Sequence, residues 1–127
     1  MTLQKIIYYA HAFHLINYKK KLINSTLEAW FYGPVFHELY IEFCKYSYKP
    51  VKKTKKGNAK KISGEIKISI DKILEKYGHV PDTELTDKTN SEEPWLSAVD
   101  KSEDWEQNVI EDKDLEEHYM LEFNNQI

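Results

Sequence analysis

Apolar residues in this chain recur at spacings of three and four, segment after segment, and that regularity commits it to helices. Leu3, Ile6, Ile7, Ala10, Phe13 and Ile16 mark out an amphipathic face of about four turns. Thr2 can cap that helix, and the run Asn17-Tyr18-Lys19-Lys20-Lys21 ends it on basic residues that suit a helix C-terminus. Leu22 to Thr26 reads as a connector. Leu27 to Phe31 is apolar and aromatic, and Tyr32-Gly33-Pro34 punctuates it; Pro34 suits the first turn of a second helix whose face is Val35, Leu39 and Phe43. Ile66, Ile70, Ile73, Leu74 and Tyr77 give a third face, stopped by Gly78. A short helix is expected around Asp82–Asp87, another from Pro94 through Trp95, Ala98 and Val99, and a last one from Val109 to Phe123. Lys56-Gly57-Asn58 suits either a turn between two short strands, Val51–Thr54 and Lys60–Ser63, or the tip of a basic loop. The expected architecture is mainly α: a single domain over residues 1–127, a compact fold of about six helices, with one short β-hairpin around 51–63 left open.

No apolar run approaches the roughly 18–20 residues that span a bilayer, and the N-terminus lacks the basic, apolar and small-residue succession of a signal peptide. The single cysteine, Cys44, excludes a disulfide framework or a four-cysteine zinc site within one chain. The expected setting is cytoplasmic, with no membrane partner. All 18 basic residues are lysine, so the bidentate fork that favours phosphates and guanine edges is missing. Charge is divided unevenly: residues 1–80 hold 15 Lys against 6 acids, residues 81–127 only 3 Lys against 15 acids. Either the two parts neutralise one another within the fold, or one of them steers a charged partner.

Catalytic chemistry finds little footing. His11 and His14 share a helix face, and two histidines at that spacing can hold a metal, yet a zinc site needs further ligands. His37 and Glu38 could supply them only by arriving from another element, so a buried, hydrogen-bonded His14 is the expectation, and no metal or cofactor is assigned. Cys44 has no activating turn around it, and the chain has no GxSxG elbow, phosphate loop or HExxH motif. No catalytic residue is assigned, and the protein is not expected to be an enzyme. Two segments combine a Trp, a turn or helix start set by Pro, and a polar group: Glu28 to Tyr40, and Thr89-Asn90-Ser91-Glu92-Glu93-Pro94-Trp95. Glu92 and Glu93 stand where carboxylates favour the free amides of the Pro94 helix, and a buried Trp30 or Trp95 would need an acceptor for its N–H.

With Ile7-Tyr8-Tyr9-Ala10-His11-Ala12-Phe13-His14-Leu15 before them and Tyr77-Gly78 between them, these blocks resemble the Panacea domain, the SocA-like antitoxin family. The resemblance runs over about residues 3–120. Phe13 stands where the family has Trp, His37 where it has Pro, and Lys88-Thr89-Asn90 where it has Leu-Thr-His; Asn90 can replace a hydrogen bond but not a proton transfer. The family positions here are His14, Glu28, Trp30, Gly33, Pro34, Glu38, Leu39, Thr89, Asn90, Glu92 and Pro94. What the resemblance implies is an antitoxin that neutralises a cognate protein toxin by direct contact, the toxin being encoded by the adjacent gene, often in a prophage. One relative instead hands its toxin to a AAA+ protease as an adaptor, which is the alternative reading. Some members carry an added DNA-binding module; this chain has no room for one, and direct DNA binding is not expected. The candidate partner contacts are Tyr32, His37, Tyr40 and Trp95.

Overall fold

The computed structural model describes residues 2–30, 33–39, 64–100 and 108–124. Among them the fold is mainly α with one short antiparallel hairpin. Helix α1 runs Thr2–Tyr18, strands β1 and β2 are Leu27–Trp30 and Gly33–Phe36, and α2 is Gly64–Tyr77. Helices α3, α4 and α5 follow as Asp82–Asn90, Glu93–Asp100 and Asp112–Phe123, and residues 37–39 form a further helical turn. No helix among the described residues is long and apolar enough to cross a membrane.

Helix α1 is the axis of the core, buried well beyond the one amphipathic face that its spacing marks out. From Gln4 to Ile16 every residue except Ile7 is buried. It packs on α2 and α5, with β2 and α3 closing the remaining sides. Ala10 and Ala12 allow close approach, and each large polar side chain inside has a partner, which is the condition for burying it. Asn17 completes the packing by donating to the carbonyls of Phe13 and Phe123, at 3.0 and 2.9 Å. The chain leaves α1 through Lys19, whose φ of 59° is the left-handed conformation of a helix C-cap.

The segment expected to open a helix at Pro34 is instead strand β2, and the helical turn starts at His37. Leu27 pairs with Phe36, Glu28 with Val35, Ala29 with Pro34 and Trp30 with Gly33. On the far side of β1, Ala29 N–H donates to the Asn108 carbonyl at 2.7 Å and Ile110 N–H to the Leu27 carbonyl at 2.8 Å. Leu27 and Ala29 thus turn their backbone groups toward 108–110, so Pro34, opposite Ala29, costs the β1–β2 ladder no bond. Val109 and Ile110, expected within the last helix, belong to this third extended segment, and α5 starts only at Asp112. On α2 the buried stripe is Ser69, Ile73 and Tyr77, while Leu74 is exposed. The hairpin considered at 51–63, the lysine-rich segment and Cys44 lie outside the described residues.

Candidate functional site

The family-like blocks, far apart in sequence, meet around one carboxylate. Glu92 sits between α3 and α4, where its carbonyl accepts the Leu96 N–H at 3.1 Å, so its backbone caps α4 while its side chain turns inward. Tyr9 and Tyr119 both donate their hydroxyls to Glu92 Oε1 at 2.7 Å. Lys88 Nζ, four residues earlier, donates to Oε2 at 2.6 Å. With the Tyr119 proton committed to Glu92, the 2.9 Å contact between the Tyr8 and Tyr119 hydroxyls makes Tyr8 the donor. Glu92 stands at the start of α4 as expected, but its carboxylate is bonded by side chains of α1, α3 and α5, two of them buried tyrosines, rather than by the helix amides.

A second carboxylate flanks the first. Tyr77 donates to Glu122 Oε2, which also receives Lys76 Nζ at 3.0 Å. The rings interlock, with Tyr9 lying 4.9 Å from Tyr77 and edge-on to Tyr8 at 5.1 Å. Lys88 Nζ lies over the faces of Tyr9 and Tyr77, at 5.2 and 5.4 Å from their centroids. Burial pushes the hydroxyls of Tyr8, Tyr9, Tyr77 and Tyr119 far above the ordinary phenol range, and Glu92 or Glu122 nearby raises each further. All four are held as donors. Burial alone would raise the Glu122 carboxyl as well, but the bonds from Tyr77 and Lys76 outweigh it and hold Glu122 below its usual range. These ionisable groups are committed to one another, and the arrangement fastens α1 to the α3–α4 junction, α2 and α5.

Beside this cluster lies the hairpin group. Trp30 Nε1 donates to Glu28 Oε1 at 2.9 Å, and Trp95 Nε1 to the Trp30 carbonyl at 2.9 Å, so both half-buried indoles have the acceptor that burial demands. His37 Nδ1 stands 3.7 Å from Glu28 Oε1, and Glu38 is exposed with its N–H on Ser25 Oγ at 3.0 Å. Leu39 packs against the core, and Pro94 is buried. Gly33 has φ +127°, and a Cβ there would stand 3.1 Å from both Lys5 Cε and Thr89 Oγ1. Thr89 is fully buried and Asn90 half-buried beside it. Tyr32 and Tyr40 lie outside the described residues.

The two histidines of α1 do not share a ligand. Ile23 N–H donates to His11 Nδ1 at 3.3 Å, so the proton sits on Nε2 and is given to Asp112 Oδ1 at 2.9 Å. His14 is buried with Nδ1 2.8 Å from Ser69 Oγ, as the sequence leads one to expect. Burial lowers both imidazoles below their ordinary range, against the opposing pull of Asp112 on His11 and Glu65 on His14. No group of three metal-ligating side chains occurs among the described residues. Sequence reasoning missed Gln4, Lys5, Lys88 and Tyr119. Lys88 alone had a signal, its spacing of four from Glu92.

The sequence matches the family described as Antitoxin SocA-like, Panacea domain, over residues 3–96. Comparison with curated proteins and with solved structures gives no match. The matched span carries the tyrosine pair, the hairpin, the Tyr-Gly turn and the Glu92 block, and takes in well over half of the chain: the protein belongs to the SocA-like antitoxin family and its Panacea domain.

Proposed function

We propose that this protein is an antitoxin that neutralises a cognate protein toxin, the product of the adjacent gene, by binding it directly in the cytoplasm. The observation that carries the reading is the family match over residues 3–96. The interior supports it from the chemical side. A carboxylate already held by two hydroxyls and an ammonium is a structural fastening, and the reading assigns the chain no catalytic step and no cofactor. His37 and Trp95 are half-buried at the hairpin, and with Tyr32 and Tyr40 they remain the candidate anchors of the interface. The acids of the last third would speed encounter with a toxin that is basic around its site.

The test is co-expression with the adjacent gene product, following growth and recovering complexes from the same cells. The neighbour alone should arrest growth, and this chain should restore growth and co-purify with it. A harmless neighbour overturns the reading. Rescue without a stable complex would replace direct masking by hand-over to a protease.

A further inference from the structure

The three extended segments lie in the order β2, β1, 108–110, and the two outer edges of that small sheet are chemically unequal. The β2 edge is closed. Pro34 has no N–H, and Gln4 from α1 occupies both backbone groups of Phe36, accepting its N–H at 3.0 Å and donating to its carbonyl at 3.4 Å. The opposite edge is left open by the described residues. Asn108 and Ile110 spend their inward groups on Ala29 and Leu27, which places Val109 opposite Glu28 as a pair that exchanges no bonds. The N–H and C=O of Val109 therefore point away from the sheet, and no described residue takes them. Val109 is 37% exposed.

A groove of about 420 Å³ runs along this edge, with Lys21, Ser25, Glu111, Asp112 and Asp114 in its lining. Lys21 is already held by Asp112 at 3.4 Å, which leaves one lysine, Lys113, and two acids, Glu111 and Asp114, in the rest of the lining. The rim is thus net acidic, in a part of the chain where residues 81–127 hold 15 acids against 3 Lys. A second copy would set this rim against itself; a basic strand would neutralise it.

We infer that the outward edge of residues 108–110 is where an extended, lysine- or arginine-bearing segment of the toxin adds as a further strand; this rests on the antitoxin reading. Backbone bonds to Val109 would supply register and the acidic rim would select charge.

The experiment uses the full chain and the adjacent gene product, with V109P and V109T. V109P removes the outward N–H and leaves both inward bonds to β1 untouched, while V109T keeps the N–H. V109P should melt close to the parent yet bind the toxin about tenfold to a hundredfold more weakly, the worth of a lost backbone bond with its partner stranded. V109T should bind as the parent does. In the parent complex, the Val109 amide should become protected from hydrogen exchange, a reading that holds even if V109P folds poorly. Toxin binding by V109P at parental strength, or a Val109 amide that exchanges equally fast with and without toxin, overturns the edge while leaving the antitoxin reading intact. A parent that binds no toxin removes the antitoxin reading and the edge proposal with it. A dimer of the parent that V109P dissociates, with toxin binding unchanged, assigns the edge to self-pairing and overturns the toxin strand.

Discussion

Glu92 holds three donors that arrive from three helices, and its replacement should be felt in all of them. In E92Q one acceptor oxygen remains, but Lys88 then faces an amide that has no charge to offer it and no acceptor on that side. The expected loss is about 1–3 kcal/mol of stability by chemical denaturation, with Tyr9 and Tyr119 non-additive with it in double-mutant cycles. At Gly33, G33A puts a Cβ into 3.1 Å contacts at a φ of +127°, and a loss of about 1–3 kcal/mol is expected in the same assay. The histidines set the response to acid. The folded forms of His11 and His14 bind protons less readily than the unfolded chain, so their contribution is complete above about pH 6.5 and is lost as pH falls below it. Glu122, held below its usual 4.5, extends the loss to lower pH. Melting temperatures across this range should fall on acidification, and an H11N/H14N variant should show a shallower fall; a flat profile for the parent would refute the assignment. The burial and bonding of His14 were legible in the sequence, because a histidine among apolar residues on one helix face must find a partner. The partners of Tyr8 and Tyr9 were not. A spacing rule sees neighbours within one helix, and their partners lie 111 and 83 residues away.

Among the elements, the helices were readable because their apolar spacing is a local property. The boundaries that failed were those decided by pairing. Pro34 has the local chemistry of a helix start, yet β1 offers it a position where its missing N–H is not wanted, and the helical turn waits until His37. Val109 and Ile110 continue the apolar pattern of α5, yet β1 has an unfilled edge that claims them. The side chain that pairs the outer edge of β2 is Gln4, which bonds the Phe36 backbone as a neighbouring strand would. In Q4L, two buried backbone groups lose their partner, and the Phe36 amide should exchange faster by about one to two orders of magnitude, with the helices affected less. Equal protection at Phe36 in Q4L and parent would show that α1 contributes only apolar packing there.

Over the whole molecule, the opposed charges of the two parts meet in ion pairs. Lys5 with Asp82, Lys21 with Asp112 and Lys76 with Glu122 bring lysines of the first 80 residues onto acids of the last 47, the internal neutralisation that composition allowed. Asp114, Glu116 and Glu117 on α5 form no ion pair among the described residues, and on the antitoxin reading they are the acids that would steer the toxin. Replacing these three by Ala should slow toxin association and flatten its dependence on salt while leaving the dissociation rate nearly unchanged, measurable by stopped flow or surface capture. An unchanged on-rate would remove steering from the account. One consequence of the central helix concerns synthesis. Helix α1 is synthesised before the elements it packs against, and the partners of Lys5, Tyr8, Tyr9 and His11 are Asp82, Tyr119, Glu92 and Asp112. At about 5–20 residues per second, α1 waits on the order of 5–20 s for α5 before all of these polar groups are matched. A nascent chain stalled before Asp112 should therefore leave α1 more open to proteases than one in which α5 has emerged.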